Sequence, residues 1–259
     1  KQSILLKEQQ QQQQSEEQEI RVVIVGAGAA GIELALAMEA RWSKNLPQQN
    51  LSVTILDAHP ELIPNESPEC KQALLSLLER RNIHVVHRAI VKEVTKDTIL
   101  LHQNNNDDDN NDDNDDDDAL LKYTHCIWAT GAASHALAHT LGQRGLVTTE
   151  RGWVSVTDKL QSVSHPCVFG AGDCVSLIKN APPKAGVYAV RAGPVLLHNI
   201  LSQLNQEEEK EEGSLSSSSS SFMKKFEPQD DFLKLINAGD GSALGFRFGV
   251  PLEGKWVFQ

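Results

Sequence analysis

The sequence predicts an α/β fold built on a parallel sheet. Over the first third of the chain, short apolar segments alternate with segments of helical periodicity, a pattern typical of parallel strands that are covered on both faces. Strands are predicted at 22–25, 51–56 and 83–86, and the helices between them at 29–42 and 68–81. The first strand runs directly into a glycine-rich turn, which makes this turn the most informative motif of the chain.

The alternation of strands and helices changes after the third strand. Segments 90–95, 98–102 and 120–123 predict a small antiparallel meander. A buried strand is expected at 125–129, with Trp128 as a core residue. The elements predicted farther on are strands at 153–156 and 167–169, a long helix at 185–204 and a strand-rich unit at 222–259.

Three low-complexity segments carry too few apolar side chains to pack a core, and we expect them to be disordered. They are the Gln-rich segment 1–20, the Asn/Asp tract 103–118 and the charged, Ser-rich segment 206–221. The formal charge of −11 comes from acidic runs inside these segments, so it says little about partners. Because the sequence has no basic patch interleaved with aromatic residues, nucleic-acid binding is not expected.

The cysteine, histidine and hydropathy patterns predict a protein without disulfides, a metal site or a transmembrane segment. Four scattered cysteines without a C-x-x-C pair are expected to be reduced structural thiols. The nine histidines have no metal-ligand spacing, so no metal site is predicted. The longest apolar stretch, near 22–38, contains glycines and Glu33, and neither a transmembrane segment nor a secretory signal is predicted. These patterns favour a cytoplasmic location.

The segment RVVIVGAGAAGIE, at 21–33, places the pattern G-x-G-x-x-G between a predicted strand and a predicted helix. In this pattern Gly26 permits a tight turn, Gly28 lets the backbone approach phosphates, and Gly31 lets the helix pack closely on the strand. The helix N-terminus adds N–H donors and a partial positive charge. The segment therefore predicts a site for the pyrophosphate of a dinucleotide.

Asp57 ends the second predicted strand, 26 positions beyond Gly31. An acid at this position accepts hydrogen bonds from the adenosine ribose hydroxyls and repels a 2′-phosphate, which favours NADH over NADPH. Arg81 or His59 could soften that preference. The plain alternative is a turn-forming aspartate, because His59 and a proline follow at once.

Three further positions are candidate site residues that also have plain structural explanations. Glu33 lies either near the nicotinamide or serves as a carboxylate that the helix dipole stabilises. Asp173, which follows Gly172, either binds the hydroxyls of a sugar alcohol chain or forms a turn. Segment 184–186 either offers a cation and N–H groups to an electron-rich ring edge or simply begins a helix after two prolines.

Together, VVIVGAGAAGIELALAM, IWATGA, the G-x-V-x-V strand at 152–156, CVFGAGDC and PPKAGVYAVRAGP resemble the FAD-dependent pyridine nucleotide–disulfide oxidoreductase superfamily. The resemblance is greatest to its type II NADH dehydrogenase-like branch. More narrowly, PKAGVYAVRAGPVLLHNI and FLKLINAGDGSALG resemble the flavoprotein module that is fused to selenide, water dikinase in some organisms.

This resemblance implies a Rossmann-like NAD(P)H-binding fold with a β-meander, followed by the C-terminal part of an FAD-binding fold. The implied domains are an NAD(P)H-binding domain at 21–149, an FAD-binding segment at 150–205 and the start of a C-terminal interface domain at 222–259. Asp57 matches the ribose position, Glu33 lies toward the nicotinamide and Asp173 matches the residue that binds the FAD ribityl chain. The full set of implied cofactor-binding residues is Gly26, Gly28, Gly31, Glu33, Asp57, Gly131, Gly172, Asp173, Lys184, Ala185 and Gly186.

The activity that the resemblance implies is hydride transfer from NADH to FAD and on to an unidentified small-molecule acceptor, without an acid–base catalyst from the protein. Such transfer requires the strand ends near residues 26 and 172 to converge. The C-x-x-x-x-C pair of disulfide-reducing members is missing from the sequence. The alternatives are a non-catalytic NAD-binding sensor module and the oxidoreductase module of a selenide, water dikinase fusion.

The sequence departs from the family plan in having a single glycine fingerprint, with a polyglutamine segment where the first half of an FAD fold belongs. We therefore expect the chain to be a fragment or a mispredicted gene product. The FAD adenosine site would then lie outside it, and a fused or partner domain could follow Gln259.

Overall fold

The computed structural model describes residues 19–46, 50–103, 118–211 and 222–258. The chain divides into two compact units, one made of Lys1–Gly131 and Asp231–Gln259 and the other of Ala132–Asp230. Most of each predicted low-complexity segment lies outside the described residues. The functional domain boundaries given above stay a prediction.

The first unit contains the alternating elements that the sequence predicts. In chain order they are β1 (Ile20–Val25), α1 (Ala29–Trp42), β2 (Leu51–Leu56), α2 (Pro68–Arg80), β3 (Ile83–Val86), β4 (Ala89–Val94), β5 (Thr98–Gln103), β6 (Asp118–Lys122) and β7 (His125–Trp128). Four of the strands form a parallel sheet in the order β3-β2-β1-β7. The prediction of an α/β fold on a parallel sheet is confirmed.

The register of this sheet aligns the carboxyl ends of its four strands. Val25, the last residue of β1, pairs with Leu56 at the end of β2 and with Trp128 at the end of β7. Leu56 in turn pairs with Val86 at the end of β3. The turns that follow these strands therefore begin at the same edge, which is where ligands bind in open α/β sheets.

The two faces of the sheet are covered differently. On one face, Val22 and Ile24 belong to a buried cluster that includes residues of α1 and α2, such as Ile32 and Leu74. On the other face, Val23 and Val25 pack in a cluster with Ile99 and Leu101 of β5. The strands β4, β5 and β6 form an antiparallel sheet, so the predicted meander is confirmed as the second cover.

The start of α2 follows from local sequence chemistry. The Oγ of Ser67 accepts a hydrogen bond from the backbone N–H of Cys70 at 3.2 Å, and Pro68 occupies the first helical turn. Leu74 and Leu78, one turn apart on α2, are both buried in the cluster that the helix forms with the sheet. Capping and apolar spacing therefore agree on the position of this helix.

The second unit holds α3 (Ala136–Gln143), β8 (Val154–Val156), β9 (Val175–Leu177) and α4 (Gly186–Glu211), with a 3-10 turn at Gly172–Cys174. The strands β8 and β9 pair in parallel. The helix α4 includes Pro194 and extends beyond the predicted end at residue 204 to Glu211. The expectation of disorder is therefore wrong for residues 206–211, which continue this helix.

The chain then returns to the first unit as an antiparallel sheet of β10 (Lys234–Asn237), β11 (Ala243–Arg247) and β12 (Val250–Gly254), followed by a 3-10 turn at Lys255–Phe258. Ile236, Leu244 and Phe246 of this sheet are buried in the same cluster as Ile32 and Leu74. The strand-rich unit predicted after residue 222 is thus present.

Two local predictions are wrong. Segment 167–169 is not a strand: residues 166–167 form a turn, Phe169 makes an isolated bridge to Gln161, and the strand of this region is β9 instead. The strand β7 is not buried, because it pairs with β1 at the edge of the parallel sheet and Trp128 is 59% exposed. Apolar composition alone did not distinguish a central strand from an edge strand.

Candidate dinucleotide-binding site

A groove of about 480 Å³ lies at the carboxyl edge of the parallel sheet. It is lined by residues 25–28, 56–59, 63–64, 89–91 and 128–131. These segments include the ends of β1, β2 and β7 and the turns that follow them. The glycine-rich turn and Asp57, which lie some thirty residues apart in the sequence, therefore line the same groove.

Gly26 and Gly31 build the turn after β1 by close backbone approach. The N–H of Gly26 donates to the carbonyl of Leu56 at 2.8 Å, and its φ of +109° is one that other residues rarely adopt. A Cβ on Gly26 would lie 2.5 Å from the carbonyl oxygen of Ala129, and one on Gly31 would lie 1.9 Å from the carbonyl oxygen of Gly26. The turn is thus held against both neighbouring strands and against the helix that follows.

Gly28 and Gly131 face open space instead. Among the described residues, no heavy atom lies within 4 Å of a Cβ added to either glycine. Gly28 is also the N-cap residue of α1, so the helix N-terminus begins in the groove without a side chain to cover it. Exposed N–H groups at a helix N-terminus and an uncovered backbone are the features that bind a pyrophosphate.

Asp57 follows β2 and is fixed by backbone hydrogen bonds to the end of β3 and the start of β4. Its N–H donates to Val86 at 2.9 Å and its carbonyl accepts from Ala89 at 2.8 Å. The carboxylate is largely buried, with 10% of the side chain exposed. Its Oδ1 lies 3.2 Å from Nδ1 of His59 and 3.3 Å from the backbone N of His59. A carboxylate acceptor therefore lies at a fixed position in the groove.

Trp128, which the sequence predicts as a core residue, instead lines the groove, since β7 lies at the edge of the sheet and ends where the IWATGA segment turns. The available signal was its position as the last residue of a strand that runs into a Thr-Gly turn at the carboxyl edge. The preceding residue on the same face, Cys126, packs inward against the meander cluster, and burial raises the pKa of its thiol.

Glu33 does not line the groove. It lies on the first turns of α1, where its Oε1 accepts a hydrogen bond from the backbone N–H of Asn237 at 2.8 Å. An ionised carboxylate has about four acceptor positions, so this bond leaves others available. The predicted nicotinamide contact of Glu33 stays a prediction.

The second unit has its own small crevice, lined in part by Gly172, Asp173, Lys184 and Ala185. Gly172 has a φ of +74° at the start of the 3-10 turn, and Asp173 is exposed. The ammonium of Lys184 donates to the carbonyl of Val175 and lies 4.5 Å from the centre of the Trp153 ring. Burial lowers the pKa of Lys184, while the negative charge of Asp173 opposes that shift.

The structure thus gathers the candidate residues into two sets. Gly26, Gly28, Asp57 and Gly131 line the groove of the first unit, and Gly31 packs directly behind it. In the second unit, four candidates share one crevice, and Gly186 begins α4 immediately after Ala185.

Within the described ranges, no group of three or more His, Cys, Asp or Glu side chains is placed to hold a metal ion. Every helix in the described part of the chain is too short or too polar to cross a bilayer.

Comparison with known proteins agrees with this arrangement. Residues 3–193 match the family described as pyridine nucleotide-disulphide oxidoreductase. A relative named probable NADH dehydrogenase, from Dictyostelium discoideum, is 26% identical over 170 residues, which are 62% of this chain and 34% of the relative.

Two solved structures share the fold at low identity. NDH2 from Plasmodium falciparum, solved in complex with NADH, has a TM-score of 0.72 at 14% identity and covers 94% of this chain and 62% of its own. The sulfide:quinone oxidoreductase of Aquifex aeolicus has a TM-score of 0.64 at 16% identity, covering 97% of this chain and 58% of its own. The chain therefore spans from about one third to about three fifths of the length of these proteins.

Proposed function

Because the chain belongs to the pyridine nucleotide-disulphide oxidoreductase family, we propose that it holds NADH in the groove of the first unit for hydride transfer to FAD. The observation that carries the proposal is the shared groove, in which the open backbone of Gly28 and the fixed carboxylate of Asp57 line one cavity. The family's members are FAD-dependent NAD(P)H oxidoreductases, which supports the same reaction class.

The residues of the groove fit the parts of NADH. The N-terminus of α1 and the uncovered backbone at Gly28 and Gly131 would bind the pyrophosphate. Asp57 would accept hydrogen bonds from the adenosine ribose hydroxyls, and its charge would disfavour a 2′-phosphate, so NADH is the favoured coenzyme. Glu33, which lies outside the groove lining, would bind the nicotinamide end through the carboxylate acceptor positions that the bond to Asn237 leaves free.

The proposed flavin contacts belong to the second unit. Asp173 would hold hydroxyls of the FAD ribityl chain, with Gly172 supplying the turn. Lys184, Ala185 and Gly186 would place a cation and the start of α4 beside the flavin ring. These assignments rest on the family resemblance together with the clustering of four of the residues around one crevice.

The work of this chain in such a reaction is positional. When bound, NADH would supply the hydride from nicotinamide C4 and FAD would accept it. The two must be held about 3–3.5 Å apart for reaction, so the protein contributes through rigid binding rather than through an acid or base. The segments that bind are fixed by backbone bonds such as that from Gly26 to Leu56.

The final electron acceptor is proposed only as a small molecule, since nothing in the groove or the crevice identifies it. The narrower resemblance to the module fused to selenide, water dikinase has no support from the relatives named above. The domain boundaries at 149, 205 and 221 follow the family plan and are part of this proposal.

The proposal is tested by titrating the purified chain with NADH. Asp57→Ala should weaken NADH binding about tenfold or more, because a hydrogen bond to a charged group contributes about 1.5–3 kcal/mol. Asp97→Ala is the matched control, since Asp97 is an exposed aspartate outside the groove lining. Equal affinity for wild type and Asp57→Ala would contradict the proposed groove.

A second candidate function is a non-catalytic NAD sensor, which would need only the groove of the first unit. The complete protein that carries this chain distinguishes the two. Copurifying flavin absorbance and NADH oxidation with a quinone or dye support the oxidoreductase. NADH binding without flavin and without turnover supports the sensor.

A further inference from the structure

We propose that His59 makes the choice between NADH and NADPH depend on pH. This inference rests on the proposed function and deepens it by assigning a specificity-determining residue to the ribose end of the groove. The observation behind it is that the His59 ring lies against Asp57 on a loop that lines the same groove.

Arg81 and His59 are the two basic residues that the sequence indicated as modifiers of coenzyme preference, and the structure places them in different surroundings. Arg81 is 19% exposed and its guanidinium pairs with Glu39 at 2.7 Å and with Asp240. It lines a different cavity, beside Ser43. Arg81 is therefore committed to ion pairs away from Asp57, which leaves His59 as the candidate.

His59 has the geometry that the role requires. Its side chain is 71% exposed, so the imidazole is in contact with solvent. Its backbone is fixed, because its carbonyl accepts from the N–H of Arg88 at 3.1 Å and its N–H lies 3.3 Å from Oδ1 of Asp57. A change in ring charge at this loop therefore occurs beside the carboxylate that selects the coenzyme.

The charge balance gives the direction of the effect. When His59 is neutral, the Asp57–His59 pair carries one negative charge and repels the 2′-phosphate of NADPH. When His59 is protonated, the pair is neutral overall and the imidazolium can donate to a phosphate oxygen. Lowering the pH through the histidine range should therefore reduce the discrimination against NADPH.

Other charged groups near His59 have to be separated from this effect. Glu61, on the same loop, pairs with Lys71 of α2 at 2.9 Å. Arg88, whose backbone N–H donates to the carbonyl of His59, and His87 before it are further ionisable residues next to this loop. The 2′-phosphate of NADPH itself titrates with a second pKa of about 6. Comparison of variants removes these shared contributions.

The test measures dissociation constants of NADH and NADPH for the purified chain at about pH 8 and about pH 5.5, which bracket the ordinary histidine pKa of about 6.5. When the pH is lowered from about 8 to about 5.5, the dissociation constant of NADPH divided by that of NADH should fall in wild type. This fall should be about tenfold larger in wild type than in His59→Gln. His59→Arg, with a permanent cation, should give a low ratio at both values. His84→Gln is the control, because His84 is exposed on β3 and lies outside the groove lining.

The outcomes separate this inference from the proposed function. If NADH binds but His59→Gln follows the same pH dependence as wild type, the role of His59 is wrong and the groove stands. If His59→Arg discriminates against NADPH as strongly as wild type does at about pH 8, the inference is also overturned. If neither coenzyme binds, the proposed function fails and this inference fails with it.

Discussion

The carboxylate of Glu33 accepts a hydrogen bond from the backbone N–H of Asn237 at 2.8 Å, across 204 residues of sequence. The bond joins the first turns of α1 to the end of β10. Together with the burial of Ile236 and Leu244 beside Ile32, it makes the last segment of the chain part of the unit that holds the groove.

Replacing Glu33 by alanine should affect both stability and coenzyme binding. Loss of the bond to Asn237 should lower the free energy of unfolding by about 1 kcal/mol and the melting temperature by about 2–4 °C. If Glu33 also contacts the nicotinamide, as proposed, NADH affinity should fall several-fold while the affinity for ADP-ribose, which lacks the nicotinamide, stays unchanged. Equal losses for the two ligands would contradict the nicotinamide contact.

Two glycines of the fingerprint should respond to alanine in different ways. At Gly31 the added methyl group meets the Gly26 carbonyl, so Gly31→Ala should cost about 1–3 kcal/mol of stability and disturb the turn. At Gly28 the methyl group enters the open groove, so Gly28→Ala should weaken NADH binding with little change in melting temperature. Thermal melts and NADH titrations of the pair check this; similar melting temperatures for both variants would count against the packing described here.

Trp128 should report on occupancy of the groove by fluorescence. NADH bound beside the indole is expected to quench the tryptophan emission of the chain, and Trp128→Phe should remove most of that quenching. Trp256→Phe is a matched control, because Trp256 is also 59% exposed and does not line the groove. Quenching that survives in Trp128→Phe and disappears in Trp256→Phe would place the coenzyme elsewhere.

The cysteines should react in an order set by burial and thiol pKa. Cys167 and Cys174 are exposed, Cys70 is buried, and burial raises the pKa of Cys126. Because the thiolate is the reactive form, a raised pKa leaves Cys126 with less thiolate at any given pH. Iodoacetamide should therefore label Cys167 and Cys174 first, and labelling of Cys126 should continue to rise above the ordinary thiol pKa of about 8.5. Peptide mass spectrometry reads the order, and early labelling of Cys126 would contradict its environment.

Local sequence patterns predicted the first unit well, because its elements depend on short-range chemistry. The strands β2 and β3 have the predicted bounds, since each is a short apolar run between turn residues. The glycine pattern also located the turn at Gly26, whose φ of +109° favours glycine.

Features that depend on distant residues could not be read from the sequence. The exposure of Trp128 follows from the edge position of β7, which depends on how the sheet is ordered. The partner of Glu33 lies 204 residues away. The failed strand at 167–169 has the right composition, but the pairing partner of β8 is β9 instead.

The most direct test of the account is rapid anaerobic mixing of NADH with the complete, flavin-loaded protein that carries this chain. Hydride transfer predicts that the visible flavin absorbance is lost, and that NADH deuterated at nicotinamide C4 slows this loss through a primary isotope effect. Asp57→Ala should require a higher NADH concentration for half-maximal rate. NADH binding that leaves the flavin oxidised would contradict the proposed oxidoreductase.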